Sequence, residues 1–144
     1  MKPPPTVHVV IGITLEPRRP ASLPRVLITL RPADTVLGGY WEFPGGKREP
    51  GESDHACLVR EFHEELALPV EPTRALPVIE HRYDHRRVVL RPYYCRPLTD
   101  SPPIAQQVDA WKWVEPAELT DHRFPPANAA LLARIAQDLA APAP

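Results

Sequence analysis

The sequence is poor in cysteine, poor in lysine and without a long apolar run, and each shortage excludes a class of protein. The two cysteines, Cys57 and Cys95, lie far apart and share no metal-ligand spacing with the histidines. We expect each to be a small buried residue, while the spacing leaves a bridge between them open. The apolar stretch at residues 7–15 is short and interrupted by polar residues, which excludes a signal peptide or a membrane span. These features predict a cytoplasmic protein.

Neither sign of charge is in excess. Lys and Arg number 17 and Asp and Glu number 18, which gives a formal net charge of -1. This balance does not indicate a duplex-DNA surface or a basic membrane anchor. Most of the basic residues are arginines, which suit phosphate contacts but also solvate ordinary surfaces.

The length of 144 residues and the apolar fraction of 43% suit one compact domain over residues 1–144. Proline is frequent, with 21 residues, and falls mainly between the apolar runs and at the ends. We therefore expect residues 1–5 and 141–144 to fray.

The pattern of apolar residues predicts an α/β protein of the α+β type. Strands are predicted at residues 7–15, 26–30, 76–83, 87–95 and 111–114, a helical turn at 115–119, and helices at 53–66 and 128–139. Ser53 is suited to cap the first helix. The residues expected to dock the helices on the sheet are Leu58, Val59, Phe62 and Leu66 in the first, and Leu132, Ile135 and Leu139 in the second. A sandwich with a mixed sheet fits this order better than a regular parallel βαβ array.

Three carboxylates stand together on the first helix. At about 100° per residue, Glu64 and Glu65 both lie within about 60° of Glu61. Such a cluster becomes favourable when a divalent cation supplies the opposing charge, and oxygen-only ligands favour Mg²⁺ or Mn²⁺ over zinc. A solvated helix face would carry the same residues, so the three glutamates alone do not establish a function.

The surrounding residues resemble the Nudix box. Gly46 is followed after five residues by Glu52, and after seven more by Arg60-Glu61-Phe62-His63-Glu64-Glu65-Leu66-Ala67-Leu68. The family pattern is glycine, five residues, Glu, seven residues, then Arg-Glu-apolar-any-Glu-Glu-any-Gly-apolar. Ala67 alone departs from it, at a helix end where a left-handed residue is common. Positive φ at an alanine costs on the order of 1 kcal/mol. Ala67 is not one of the positions to which the family pattern gives a chemical role.

This resemblance implies a Nudix-like α/β/α sandwich with a mixed β-sheet, and it assigns roles to the matching residues. The implied ligands of Mg²⁺, or of Mn²⁺ in its place, are Gly45 through its carbonyl, Glu61, Glu64 and Glu65. The implied catalytic residues are Glu61 and Glu64, since a glutamate of this group, or another acid nearby, orients or deprotonates the attacking water. Glu52 and Arg60 are implied to brace the loop against the helix. Metal ions would neutralise the diphosphate and activate water.

A narrower resemblance is to the MutT branch, the enzymes that sanitise the nucleotide pool. It is carried by Trp41-Glu42-Phe43-Pro44-Gly45-Gly46-Lys47, by Glu49-Pro50-Gly51-Glu52 and by Phe124-Pro125-Pro126-Ala127-Asn128. It implies substrate contacts from Arg31, Glu42, Phe43, Gly46 and Asn128, with the Asn128 amide reading an oxidised guanine. Asn128 is equally suited to cap the last helix, Arg31 to solvate a surface and Phe43 to fill the core.

Two positions depart from the MutT pattern. The family often places another glutamate before the last strand, where residues 105–111 offer Asp109 as the one acid. Either Asp109 substitutes for that glutamate or the helix glutamates suffice. A substrate-contacting histidine of the pattern is replaced by Val36.

The resulting hypothesis is Mg²⁺-dependent hydrolysis of a nucleoside triphosphate, with 8-oxo-dGTP as the favoured substrate, to monophosphate and pyrophosphate. The alternatives are hydrolysis of another nucleoside diphosphate derivative, or a non-catalytic module that binds oxidised guanine. The implied partner is a small-molecule nucleotide, with no stable nucleic-acid complex and no membrane. The sequence is compatible with a monomer or a homodimer.

Overall fold

The protein is described by a computed structural model over residues 5–140. The predicted frayed ends therefore lie outside the described residues, apart from Pro5. The strands are β1 (Thr6–Thr14), β2 (Val26–Leu30), β3 (Trp41–Glu42), β4 (Gly45–Lys47), β5 (Val70–Ala75), β6 (Ile79–Tyr83), β7 (Arg86–Pro97) and β8 (Ala110–Val114). The helices are α1 (Asp54–Leu66) and α2 (Ala129–Asp138), with 3₁₀ turns at Pro116–Asp121 and Pro126–Asn128.

The strands form a mixed sheet of five and an antiparallel sheet of three. In the larger sheet β1 lies between β4, which is antiparallel to it, and β7, which is parallel to it. The far edge of β7 pairs with β6 along its first half and with β5 along its second half. The smaller sheet has the order β3-β2-β8, and a bridge between Leu15 and Val26 joins the two sheets.

The central strands are covered on both faces because their residues alternate between two cores. On β1, Ile11 and Ile13 face the core that contains Leu131 and Ile135 of α2. Val10, the residue before Ile11, faces the core built on α1. The helices thus lie on opposite faces, which confirms the predicted α/β/α sandwich with a mixed sheet.

Helix α1 begins and ends as its sequence predicts. The Ser53 hydroxyl accepts a hydrogen bond of 3.1 Å from the Ala56 amide, as an N-cap does. At the other end Ala67 takes the left-handed conformation, with φ 48° and ψ 35°, and its amide bonds to the His63 carbonyl. A left-handed residue here turns the chain into β5.

Several predicted details were wrong, and the missed strands depend on pairing with strands distant in sequence. The strand predicted at 76–83 begins at Ile79, while β5 was missed because Pro72 interrupts its pattern, and β4 because its glycines have no apolar side chain. On α1, Val59 is exposed and Cys57 is buried in its place. On α2, Leu131 and Ile135 are buried, whereas Leu132 and Leu139 are half-buried at the edge of the core.

The two cysteines are buried and unbonded, which confirms the first of the two expectations for them. Across residues 5–140, no helix is both long enough and apolar enough to cross a bilayer.

The left-handed turn at Ala67 generates a prediction for stability. Replacing Ala67 with glycine should raise the free energy of unfolding by roughly 0.5–1 kcal/mol, because glycine adopts positive φ without a Cβ clash. The melting temperature should rise by about 2–4 °C for a chain of this size, measured by circular dichroism. Ala133→Gly, at an exposed position inside α2, is the matched control and should destabilise by about 1 kcal/mol. Equal destabilisation by both substitutions would contradict the role assigned to Ala67.

Candidate active site

The site is built around two glycines of β4. Gly45 has φ +152°, and a Cβ there would overlap the carbonyl oxygen of Val10 on β1. A Cβ on Gly46 would lie 2.5 Å from the carboxyl carbon of Glu61. Gly45 therefore needs glycine for β4 to lie on β1, and a side chain at Gly46 would displace the Glu61 carboxylate from the turn.

The glutamates of α1 meet this turn at its backbone. The Gly45 amide donates a hydrogen bond of 3.2 Å to Oε2 of Glu65. The pKa of Glu65 is raised to about 8, mainly by burial and further by the charges of Glu42 and Glu61, while the hydrogen bond from Gly45 acts to lower it. Burial also raises the pKa of Glu61 against the opposing effect of Arg60. The charged forms of both carboxylates are therefore disfavoured at this end of the cluster.

Arg60 compensates the outer end. Its Nε and Nη2 atoms donate to both oxygens of Glu52, at 2.7 and 2.8 Å. Its Nη1 atom donates to Glu61 at 2.8 Å and to Glu64 at 3.4 Å, and Nη2 also reaches the Lys47 carbonyl at 3.2 Å. One guanidinium therefore ties the loop after β4 to α1, as predicted for Glu52 and Arg60 as a bracing pair.

The donor set fits a hard divalent cation. Glu61, Glu64 and Glu65 offer only oxygens, and a cation beside them would counteract the burial that raises the pKa values of Glu61 and Glu65. No three acidic, histidine or cysteine side chains among residues 5–140 already converge tightly enough to coordinate one ion. Arg60 instead occupies oxygens of Glu61 and Glu64.

A cavity of about 320 Å³ opens beside the glycine turn. Its apolar wall is formed by Val7, Val9, Ile11, Val36, Leu37, Phe43 and Val88, and its polar side by Arg31, Glu42, Gly45, Gly46, Lys47 and Arg86. This volume lies at the lower end of the range for small-ligand sites. The mixture of an apolar wall and basic side chains suits a ligand with a flat apolar part and an anionic part.

Four of the predicted substrate contacts line this cavity together. Arg31, Glu42, Phe43 and Gly46 are brought to it from β2, β3 and β4. Arg31 donates from Nη1 to Glu42 at 3.2 Å and from Nε to the Val36 carbonyl at 2.9 Å, so it shapes the loop over the cavity. Val36 lines the cavity with 75% of its surface exposed. This position, which departs from the MutT pattern, thus presents an apolar side chain at the entrance.

The fifth predicted contact, Asn128, lies apart from these four. Within the described part of the chain Asn128 is not among the residues lining the cavity, and its side chain makes no capping hydrogen bond to α2. It is buried, with 8% exposed, and the adjacent Ala127 belongs to the same apolar cluster as Val88 of the cavity wall. The segment before it approaches the cavity too, since the Phe124 ring lies 5.3 Å from that of Phe43.

The loop before β8 lies over the C-terminal end of α1. The Gln106 amide side chain donates to the carbonyls of His63 and Glu64, at 2.8 and 3.3 Å, and its backbone amide donates to Glu65. Asp109 is exposed, and its amide pairs with the Leu30 carbonyl of β2. The loop therefore caps the helix that bears the glutamates.

Sequence patterns left Lys47 and Arg86 without a role, yet both line the cavity. Lys47 pairs with Val9 on one edge of β1, and Arg86 begins β7 on its other edge. Residues paired across antiparallel strands share a face, and alternation along β4 could have placed Lys47 beside Gly45. Nothing local indicates that Arg86 joins them, because β7 pairs with β1 across most of the chain.

Comparison with known proteins agrees with this geometry. Residues 21–134 match the NUDIX domain. The chain is 36% identical to a protein of Mycobacterium tuberculosis named putative 8-oxo-dGTP diphosphatase 2, over 79% of this chain and 81% of that protein. It is 35% identical to the CTP pyrophosphohydrolase of Escherichia coli K12, over 75% of this chain and 79% of that one. The MutT protein of Methanosarcina mazei Go1 has a similar fold, with a TM-score of 0.80, 16% identity, and coverage of 96% of this chain and 98% of that chain.

The bracing pair generates a pH-dependent prediction. The pKa of Glu52 is lowered from 4.5 to about 2, mainly by its hydrogen bonds from Arg60 and from the Glu49 amide. A lowered pKa means that the stabilisation is present above about 4.5 and is lost as the pH falls towards about 2. Glu52→Gln should therefore have a lower free energy of unfolding than the parent protein at pH 7. This difference, measured by urea unfolding, should become smaller below pH 4.5.

Glu49→Gln is the matched control. The Glu49 side chain is 64% exposed, and its carboxylate lies 3.7 Å from the Arg60 guanidinium, which is too far for a hydrogen bond. It should change stability little at either pH. The bracing role would be contradicted if the difference in free energy of unfolding between Glu52→Gln and the parent protein stayed constant from pH 7 to pH 3.

Proposed function

The chain belongs to the NUDIX family and is a Nudix hydrolase, and from this premise we propose that it converts a nucleoside triphosphate to the monophosphate and pyrophosphate with Mg²⁺ bound. The observation that carries the proposal is the contact between the glycine turn and α1. Gly45 and Gly46 touch Glu65 and Glu61 and also line the cavity. Carboxylates and a nucleotide-sized cavity thus share one backbone turn.

The proposed metal ligands are Glu61, Glu64, Glu65 and the Gly45 carbonyl, with Mn²⁺ as a substitute for Mg²⁺. The metal would supply positive charge to the diphosphate and would activate water. Glu61 or Glu64 would hold the attacking water and accept its proton. Arg60 keeps both side chains on one side of α1, and Glu52 keeps Arg60 in place.

The cavity supports a nucleotide with its base against the apolar wall. Phe43 and the valines offer a dry surface for a flat ring, and Arg31, Lys47 and Arg86 offer positive charge to the phosphates. We propose that Asn128 approaches the base from the segment before α2, as the MutT resemblance implies. Its buried amide, unused in capping, supports this assignment.

The favoured substrate is 8-oxo-dGTP, and CTP is the second candidate. Relatives named for the two activities are 36% and 35% identical to this chain. The Phe124–Asn128 segment beside the cavity favours the oxidised purine. The two free cysteines are consistent with the reducing cytoplasm that we propose as its compartment.

The proposed activity is tested with purified protein, Mg²⁺ and a panel of 8-oxo-dGTP, CTP, the normal dNTPs, ADP-ribose and diadenosine tetraphosphate. We expect 8-oxo-dGTP to give monophosphate and pyrophosphate at the highest kcat/KM, measured by chromatography. Glu64→Gln should lower kcat by at least about a hundredfold. Glu71→Gln, an exposed glutamate of β5, is the matched control and should retain the parent rate. A preference for CTP would reverse the order of the two substrates, and an absence of metal-dependent turnover would favour the non-catalytic module.

The role of Asn128 gives a selectivity prediction. Asn128→Ala should reduce the ratio of kcat/KM for 8-oxo-dGTP to that for dGTP by about tenfold or more, because a buried base contact is lost. Gln137→Ala, which removes an exposed amide from α2, serves as the control and should leave the ratio unchanged. If Asn128→Ala lowers turnover of both nucleotides equally, Asn128 does not read the oxidised base.

A further inference from the structure

A second charged network lies at the start of α1, and it is centred on an acid. Asp54 is buried, with 8% exposed. Its Oδ1 accepts from Nη1 of Arg48 at 3.0 Å. Its Oδ2 accepts from Nε of Arg91 at 2.8 Å and from the Tyr93 hydroxyl at 2.6 Å. Both oxygens of one carboxylate are therefore used.

The hydrogen bonds of Asp54 join three parts of the fold. Arg48 follows β4 directly, Asp54 is the first residue of α1, and Arg91 and Tyr93 lie on β7. The Arg48 amide also donates to the His8 carbonyl of β1 at 3.1 Å. The loop at residues 48–53, which joins the glycine turn to the glutamate helix, is thus fastened at both ends to the central sheet.

This network complements the one around Arg60. Arg60 is a cation that joins the loop to the middle of α1 through Glu52 and the Lys47 carbonyl. Asp54 is an anion that joins the two ends of the same loop to β7. The first network holds the loop on the helix, whereas the second sets the position of loop and helix on the sheet.

We propose that Asp54 is a positioning residue for the reaction: its carboxylate fixes both ends of the 48–53 loop to β7 and so keeps the glutamates of α1 against the glycine turn. Asparagine cannot replace it, since an amide has one acceptor oxygen and turns its NH₂ group towards a guanidinium. The expected effect of Asp54 on metal affinity rests on the metal site of the proposed function. Its expected effect on the order of the 48–53 loop is independent of that site.

The chain supplies a matched control for this proposal. Asp138, near the end of α2, also accepts hydrogen bonds from one tyrosine and two arginines, Tyr94, Arg74 and Arg134. Its contacts fasten α2 to β5 and β7, away from the glycine turn. Asp138→Asn therefore removes the same chemistry without touching the 48–53 loop.

The decisive experiment compares Asp54→Asn and Asp138→Asn in three measurements. Amide hydrogen exchange of residues 45–53 in metal-free protein should be faster in Asp54→Asn and unchanged in Asp138→Asn. The Kd for Mn²⁺ alone, followed by electron paramagnetic resonance of the free ion, should rise by about tenfold or more in Asp54→Asn only. Turnover of the preferred nucleotide should show a lower kcat with little change in KM.

Tyr93→Phe tests the same network if Asp54→Asn does not fold, because it removes one of the three hydrogen bonds to Asp54. It should change hydrogen exchange and Mn²⁺ affinity in the same direction as Asp54→Asn, but to a smaller extent. The proposal is overturned if the variants at Asp54 and Tyr93 lower the melting temperature but leave exchange of residues 45–53 and Mn²⁺ affinity at the values of Asp138→Asn. If the parent protein itself binds no Mn²⁺, the proposed metal site fails, and hydrogen exchange still decides the role of Asp54.

Discussion

The close approach of β4 to α1 is the contact on which the site depends, and the glycines of β4 allow it. At Gly45 the neighbouring β1 backbone leaves no room for a Cβ, and a Cβ at Gly46 would displace the Glu61 carboxylate. Gly45 can therefore donate its amide to Glu65 while β4 pairs with β1. Main-chain geometry thus sets the position of the turn, and hydrogen bonds from Arg60 hold Glu61 and Glu64.

Charge is distributed unevenly along the glutamate face of α1. At the solvent end Arg60 contacts four acids, Glu49, Glu52, Glu61 and Glu64. At the buried end the charges of Glu42 and Glu61 add to the burial that raises the pKa of Glu65. Arg60 thus offsets only part of the negative charge at the solvent end, whereas burial is the main cause of the raised pKa at the other end. A cation beside the glycine turn would favour the charged form of the buried carboxylate.

The parts of the fold that follow from local sequence were predictable. Both ends of helix α1 were predicted, because each is set by a local residue. Ser53 caps its start, and the left-handed conformation of Ala67 ends it. The bracing pair followed from the resemblance of the box. The parts that depend on distant pairing were not predictable: β4 and β5 are strands only because β1 and β7 lie beside them.

The residues of the cavity also divide into those that local motifs predict and those that distant strand pairing brings together. Arg31, Glu42 and Phe43 were assigned from motifs, while Lys47 and Arg86 meet because β1 brings β4 and β7 to its two edges. The acid at 54 was unremarkable in sequence, since its three partners are an arginine of the loop and two residues of β7. Asn128 was assigned from its motif and is not among the described residues that line the cavity, so its contact with a base is a proposal.

The parallel pairing of β1 with β7 has a consequence for how the chain folds. Thr6 pairs with Arg87 and Thr14 with Cys95, so β1 cannot acquire this neighbour until most of the chain has been synthesised. Closing so long a loop is entropically costly, and contacts of this range slow folding. Helix α1, β1 and β4 all precede β7 in the chain, so the glutamates can meet the glycine turn before β7 is made. The hydrogen bonds of Asp54 with Arg91 and Tyr93 form only afterwards, so the 48–53 loop is fastened to the sheet late in folding.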